Sequence, residues 1–326
     1  MGTLDINHIL VPLDFSESSL NALYTALAMA KRQGAKLTLL HVVNESLLSY
    51  HHSDIMPLAS AVPLIETMCD EAQDMLREIA NNAAKEHGIE AQTQTTRGFV
   101  PSEICKVVER LGSDLVVMGT HGASGLREFF MGTNAFAVVK HAPCPVLTVP
   151  TNGKWESFSK ILFPVRDTPG ALEKYEFLRK IIRKNNATLH VLGLPDAGNS
   201  SSEGWVEKSI QKFKRKLRDD DVECLAQMLQ PTEQIAQQVM KTAKTAQSDL
   251  IAITATLDYG IRDFFVGPYT QQIVNHARVP VLSIRPSQVL DDAQKTLQIM
   301  RADHGPMWPN AGLPLRTSLP LNTDMR

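Results

Sequence analysis

The pattern Gly119-x2-Gly122-x9-Gly132-Thr133 is the part of this sequence with the clearest chemical content. It lies in MGTHGASGLREFFMGTN, residues 118–134, directly after the apolar run DLVVM. Glycine lets a backbone approach a phosphate oxygen with no Cβ in the way. A helix opening at Gly132-Thr133 offers unpaired N–H groups and the positive end of its dipole, where phosphates bind. The Thr133 hydroxyl supplies one more donor. Strand, glycine loop and helix in this order are what a phosphate cradle requires. A structural loop with turn glycines fits the same spacing.

The other strand ends supply the rest of such a site, because ligands of open α/β sheets collect at the carboxyl ends of strands. VPLDFS puts Asp14 at one of these ends. A carboxylate there accepts hydrogen bonds from a ribose, or holds Mg²⁺ through water. It equally well caps the next helix beside Ser16. LLHVVN puts the backbone of Val42 where it can pair with an adenine edge. His121, between two of the glycines, either touches phosphate or is solvated.

Elements that position these residues follow from the apolar spacing. HILVPL (8–13) reads as a buried strand. A helix follows over 16–34, with Ser16 as N-cap, Leu20, Leu23, Leu27 and Ala30 at helical spacing, and Gly34 as C-cap. AKLTLLHVV (35–43) is the second strand, and 44–62 is expected to be irregular. A helix from about Leu64 to His87, a strand over 89–98 and a helix over 101–112 come next. DLVVMG, TNAFAVVKHA and PVLTVP complete a strand, a helix and a strand. This alternation predicts an α/β fold, a parallel sheet with helices on both faces.

The pattern then repeats. Residues 160–194 mirror 8–43 at an offset of 152, and 249–286 mirror 114–150 at an offset of 135, so the second copy is 17 residues shorter in its middle. Two copies of one α/β unit are expected, joined by the polar linker TNGKWESFS (151–159). Residues 287–326 form an extension with a short amphipathic stretch at 289–300 and a proline-containing end. It is either loosely held or anchored through Trp308 and its leucines.

VPLDFSESSLNAL, LTLLHVV and DLVVMGTHGASGLREFFMGTNAFAVVKHAPCPVLTV, in this order, resemble the universal stress protein family. Nucleotide-binding members carry Gly-x2-Gly-x9-Gly-Ser/Thr, matched here by Gly119, Gly122, Gly132 and Thr133. The resemblance spans both repeats and implies two tandem doubly wound domains, each a five-stranded parallel sheet. It assigns 1–150 to a domain with the intact signature and 151–286 to a degenerate one. It implies ATP contacts at Pro12, Leu13, Asp14, Val42, Met118, Gly119, Gly122, Gly132, Thr133 and Asn134.

The second copy departs from the signature. Gly119 becomes Thr254, Gly122 becomes Leu257 and Thr133 becomes Pro268, while Gly132 is kept as Gly267. Asp14 becomes Arg166. Copy two is therefore not expected to bind ATP in the same way. Gly125, Arg127, Phe129 and Phe130 recur as Gly260, Arg262, Phe264 and Phe265, which favours a framework role.

Composition narrows the rest. A formal net charge of −2 gives no pull toward nucleic acid or an anionic membrane. No apolar run approaches the ~20 residues of a membrane span. The N-terminus lacks the features of a signal peptide. Cys69, Cys105, Cys144 and Cys224 are scattered and read as reduced thiols in a cytoplasmic protein. HHSD (51–54) makes a poor metal site, and KSIQKFKRKLRDDD (208–221) carries Ile210, Phe213 and Leu217, with Val206 just before it, at helical spacing, so its charges read as a wet face.

The functional expectation is an ATP-binding stress or regulatory protein. Domain two is a degenerate partner packed on domain one as a pseudo-dimer. One alternative is a slow ATP hydrolase, disfavoured because no Walker lysine is present and Asp14 and Glu128 are the acids near the cradle. Another is a scaffold, or an apolar-ligand binder using Ile253, Leu257, Phe264 and Phe265. The chain is expected to be monomeric, or to pair again as a homodimer through an exposed edge or its last strands (145–149, 280–284).

Overall fold

A computed structural model describes residues 5–44, 58–120, 132–168, 170–230, 234–255, 257–258, 265–266 and 268–286; the side chains of 58–62, 257–258, 265–266 and 268 lie outside that description. The expected extension, 287–326, and the retained loop residues Gly125, Arg127, Phe129, Phe130, Gly260, Arg262 and Phe264 also fall outside it.

The first half runs β1 (His8–Pro12), α1 (Glu17–Gln33), β2 (Lys36–Val43), α2 (Leu58–His87), β3 (Ala91–Arg97), α3 (Val100–Leu111), β4 (Leu115–Gly119), α4 (Thr133–His141) and β5 (Val146–Val149). The second half runs β6 (Lys160–Val165), α5 (Lys174–Asn185), β7 (Thr188–Gly193), α6 (Ser200–Asp219), β8 (Cys224–Met228), α7 (Ile235–Thr245) and β9 (Leu250–Thr254). It ends with the short pair β10 (Leu257–Asp258) and β11 (Phe265–Val266), then α8 (Pro268–His276) and β12 (Val281–Ile284).

The long strands form one ten-stranded sheet in the order β3-β2-β1-β4-β5-β12-β9-β6-β7-β8. Each half is a parallel five-stranded sheet, and the halves meet edge to edge where β5 and β12 pair antiparallel. The described chain up to Pro286 is one compact unit. The last strands are thus consumed by each other, which corrects the expectation that they pair with a second copy. Among the described strands, β3 and β8 are left at the sheet's edges.

Alternating strand residues feed two cores, one on each face. Ile9, Val11, Leu147, Phe163 and Leu282 pack on one face with α1, α2, α5 and α6. Leu10, Val116, Val146, Leu162 and Val281 pack on the other with α3, α4, α7 and α8. Because both faces are covered, the inner strands read as continuous apolar runs rather than alternating ones. α6 buries Val206, Ile210, Phe213 and Leu217, as their spacing predicts.

Local signals set most boundaries. Ser16 caps α1 by accepting from Ser19 N–H, and Gly34 ends it with φ 75°. Gly112, at φ 60°, ends α3 in the same way. The second helix starts earlier than expected, at Leu58 instead of about Leu64, and carries Pro63 inside it. As the sixth helical residue, Pro63 has no N–H to give the carbonyl four residues earlier, so the helix runs on with one bond missing in its second turn. An aspartate repeats one device in both halves: Asp114 accepts from the N–H groups of Asn7 and His8 at 2.8 and 2.9 Å, and Asp249 accepts from those of Ser159 and Lys160 at 2.7 and 3.0 Å. Each carboxylate ties the start of the innermost strand of its half.

Arg285, just after β12, reaches across to α4. Its guanidinium donates to the carbonyls of Lys140 at 3.1 Å and His141 at 3.2 Å, and to that of Ala142. A residue of the second half thereby closes the carboxyl end of a helix in the first, where a cation also meets the negative end of the dipole.

Candidate functional site

The carboxyl ends of β1, β2 and β4 and the start of α4 enclose a cleft of about 150 Å³. β1 delivers Pro12, Leu13 and Asp14 to it, and β2 delivers Val42. Met118 and Gly119 come from β4, and Gly132, Thr133 and Asn134 from the mouth of α4. Nine of the ten residues expected at the site therefore line one cavity; Gly122 lies outside the described residues. His121 and Glu128 lie outside them as well.

The cleft meets an open helix end. Gly132 N–H donates to Thr120 carbonyl at 2.8 Å, so the chain that leaves β4 is brought back to its end. The first intrahelical bond of α4 runs from Phe136 N–H to Gly132 carbonyl, at 3.1 Å. The N–H groups of residues 133–135 come before that bond, and among the described residues no side chain caps this end. Such groups are the ones a helix presents to an anion.

Asp14 already serves α1. Its Oδ1 accepts from Ser16 N–H at 3.1 Å and Ser16 Oγ–H at 2.5 Å. Asp14 thus braces Ser16, which is the residue that caps α1, while it stands on the cleft wall. Gly119 has a structural duty of its own. A Cβ there would run into the Ser18 hydroxyl and come within 2.9 Å of the Ser18 carbonyl carbon and oxygen. No real side chain survives that distance from backbone, so glycine is what lets the first turn of α1 lie on β4.

His41, Ser19, Thr120, Val100 and Ile104 also line the cleft and were not foreseen. His41 is the informative one. Its Nδ1 lies 2.8 Å from Leu13 carbonyl, which only accepts, so Nδ1 carries the proton. The ring stacks on Phe15 with centroids 4.7 Å apart, and Phe15 holds a left-handed φ of 62°. Burial lowers the His41 pKa, with the Leu13 carbonyl and Asp14 pulling the other way. A histidine at the end of an apolar strand was the available signal.

The matching place in the second half is nearly filled. Pro164, Arg166, Thr254 and Tyr269 stand where Pro12, Asp14, Gly119 and Asn134 stand in the first half, and the space among them is about 10 Å³. The Arg166 guanidinium sits 4.7 Å from the centre of the Tyr269 ring. Burial pushes the Tyr269 phenol up, so it stays neutral. The space is about one water, and Ile253 is not among the residues that line it. Leu257 and Phe265 side chains are outside the described residues.

The sequence model of the universal stress protein family matches residues 5–150 and again residues 157–285. The chain belongs to the universal stress protein family. A universal stress protein of Bacillus subtilis is 33% identical over 150 residues, 44% of this chain and 98% of that one. One of Methanocaldococcus jannaschii is 34% identical over 142 residues, 43% of this chain and 80% of its own. Both matches have the length of a single half. The crystal structure of a universal stress protein from Archaeoglobus fulgidus covers 87% of this chain and 97% of its own, at a TM-score of 0.68 and 18% identity, a likeness of fold. Among the described residues no helix is long and apolar enough to cross a membrane, and no cluster of His, Cys, Asp and Glu has the arrangement of a metal site.

Proposed function

We propose that this universal stress protein binds one adenine nucleotide, ATP, in the cleft of its first half. Nine of the ten residues that the family resemblance implies as nucleotide contacts, three of them from the glycine signature, line a single cavity at the start of α4, and this convergence supports the assignment. The N–H groups of 133–135 and the Thr133 hydroxyl would receive phosphate oxygens. Val42 backbone would meet the base, and Asp14 would meet ribose hydroxyls or, through water, a Mg²⁺ ion. The apolar walls Val100, Ile104 and Met118 suit a base face. The second half acts as the degenerate partner of a pseudo-dimer inside one chain, completing the sheet. Its role is regulatory, with the nucleotide state as the signal.

Titration calorimetry on the full chain tests this. The expected result is one ATP per chain. The double variant Asp14→Arg with Asn134→Tyr copies the filled site of the second half and should abolish binding; Gly122→Leu should do the same. Undiminished binding in the folded double variant, or two equivalents of ATP in the wild type, would overturn the assignment. Phosphate release measured on the same samples reports whether bound ATP is turned over.

A further inference from the structure

Lys174 is a buried amine with no acidic side chain beside it among the described residues. Its side chain is 2% exposed. Nζ donates to the carbonyls of Pro164 at 2.8 Å and Ala171 at 2.6 Å, and to Thr254 Oγ1 at 3.2 Å. It also sits 4.0 Å from the centre of the Phe163 ring. An ammonium has three N–H donors, and here it finds three oxygen acceptors and an aromatic face. A burial of this kind is costly unless the donors are satisfied, and they are.

The place matters as much as the geometry. Pro164 and Thr254 stand at the carboxyl ends of β6 and β9, as Pro12 and Gly119 do on the cleft wall of the first half. In the first half the Ser18 backbone lies on Gly119. In the second half the helix begins at Lys174, five residues later in the repeat than Glu17, behind a turn over 170–173. Gly170 allows that turn: its φ is 67° and a Cβ there would collide with the Pro286 ring. The late start leaves space over Thr254, and the long side chain of Lys174 turns back to fill it. The residue at the Lys174 position of the first half is Ala22.

We propose that the second half contains a primary-amine site at its strand ends, and that Lys174 is its resident ligand. The lysine occupies the site from within the chain, so this half takes no outside molecule there; its three-donor form is the protonated one, so melts are compared at pH 6, where the ammonium is present. The three acceptors and the ring suit an R–NH₃⁺ group, whose three N–H bonds match three oxygens, and disfavour a quaternary ammonium, which has no N–H to give.

The test converts the tethered ligand into a free one. Lys174→Ala removes the equivalent of n-propylamine. The variant should melt several degrees lower than the wild type, and millimolar n-propylammonium should restore at least half of the loss by mass action. Tetramethylammonium, which has no N–H, and sodium at equal ionic strength should restore none, and the wild type should respond to none of the three. Equal responses to all three cations, or none to propylammonium in a folded variant, overturn the proposal. Acetylation of the native wild-type protein, read by mass spectrometry, holds if the alanine variant does not fold. Lys174 should then react about a hundredfold more slowly than the strand-start Lys160, because reaction needs local opening. Equal rates overturn the proposal.

Discussion

Leu147 and Leu282 hold the same position in the two repeats, 135 residues apart, and face each other across the β5–β12 pair. Val281 opposite Thr148 and Ser283 opposite Val146 complete a register that maps onto itself when the copies are exchanged. Both leucines are almost fully buried, at 1% and 0% exposure. Each changed to alanine should lower stability by about 2–5 kcal/mol. Because they share one packing site, the double variant should depart from additivity by about 0.5–3 kcal/mol. Urea unfolding of the two single variants and the double measures this.

Gly119→Ala should destabilise the protein by about 1–3 kcal/mol in the absence of any nucleotide, because the methyl group is forced against Ser18. Ser18→Gly in the same chain should relieve only part of it, since the carbonyl carbon and oxygen 2.9 Å away remain. Thermal melts of the unliganded variants decide this. An unchanged melting point in Gly119→Ala would leave phosphate approach as the glycine's sole purpose.

Arg285→Ala removes three charge-assisted contacts to the end of α4. A loss of about 1.5–3 kcal/mol is expected. Lysine at this position should recover only a fraction, because one ammonium lacks the planar fork that spans adjacent carbonyls. Chemical denaturation of both variants gives the comparison.

Stability should rise with pH above neutrality. Burial holds Lys174 at about 7, against an ordinary 10.5. Between these values the unfolded chain carries a proton that the folded one does not, so the contribution is complete above 10.5 and is lost as pH falls through 7. The limiting slope is one proton, about 1.4 kcal/mol per pH unit. Arg166 from the end of β6 and the neutral Tyr269 from α8 share the pocket. Lys174→Met should flatten the difference. Unfolding curves of both proteins from neutral to alkaline pH show the slope or its absence.

Much of this was legible in the sequence, and what was not has a common cause. Ser16, Gly34 and Gly112 mark helix ends through local chemistry, and local chemistry is what a sequence displays. The convergence of Pro12, Val42, Met118 and Thr133 followed from the strand-end rule for parallel sheets. Gly119 carries a second duty that no neighbour in sequence betrays, since Ser18 reaches it only through the fold. Lys174 sits in KYEFLRKIIRK, where a lysine beside apolar residues reads as solvent-facing. Its burial depends on the five-residue delay of α5, which in turn depends on Gly170 and Thr254. The match of Asp14 to Arg166 flagged a lost site, but only the Tyr269 ring under that arginine shows how the space was closed.

The seam between the halves also sets a timetable. β5 leaves the ribosome well before its partner: Thr148 and Val281 are 133 positions apart. At bacterial or eukaryotic translation speeds of roughly 5–20 residues per second, the wait is on the order of ten seconds. Throughout it, a completed first half presents the bare backbone of VLTV, an apolar strand with nothing beside it. Two nascent chains on neighbouring ribosomes could dock there through the same Leu147 and form a symmetric pair before either second half exists. Arrival of Leu282 would then have to displace a rival that differs from it hardly at all. Once the second half is made, the tandem arrangement tips that competition by holding the correct strand at high effective concentration on the same chain.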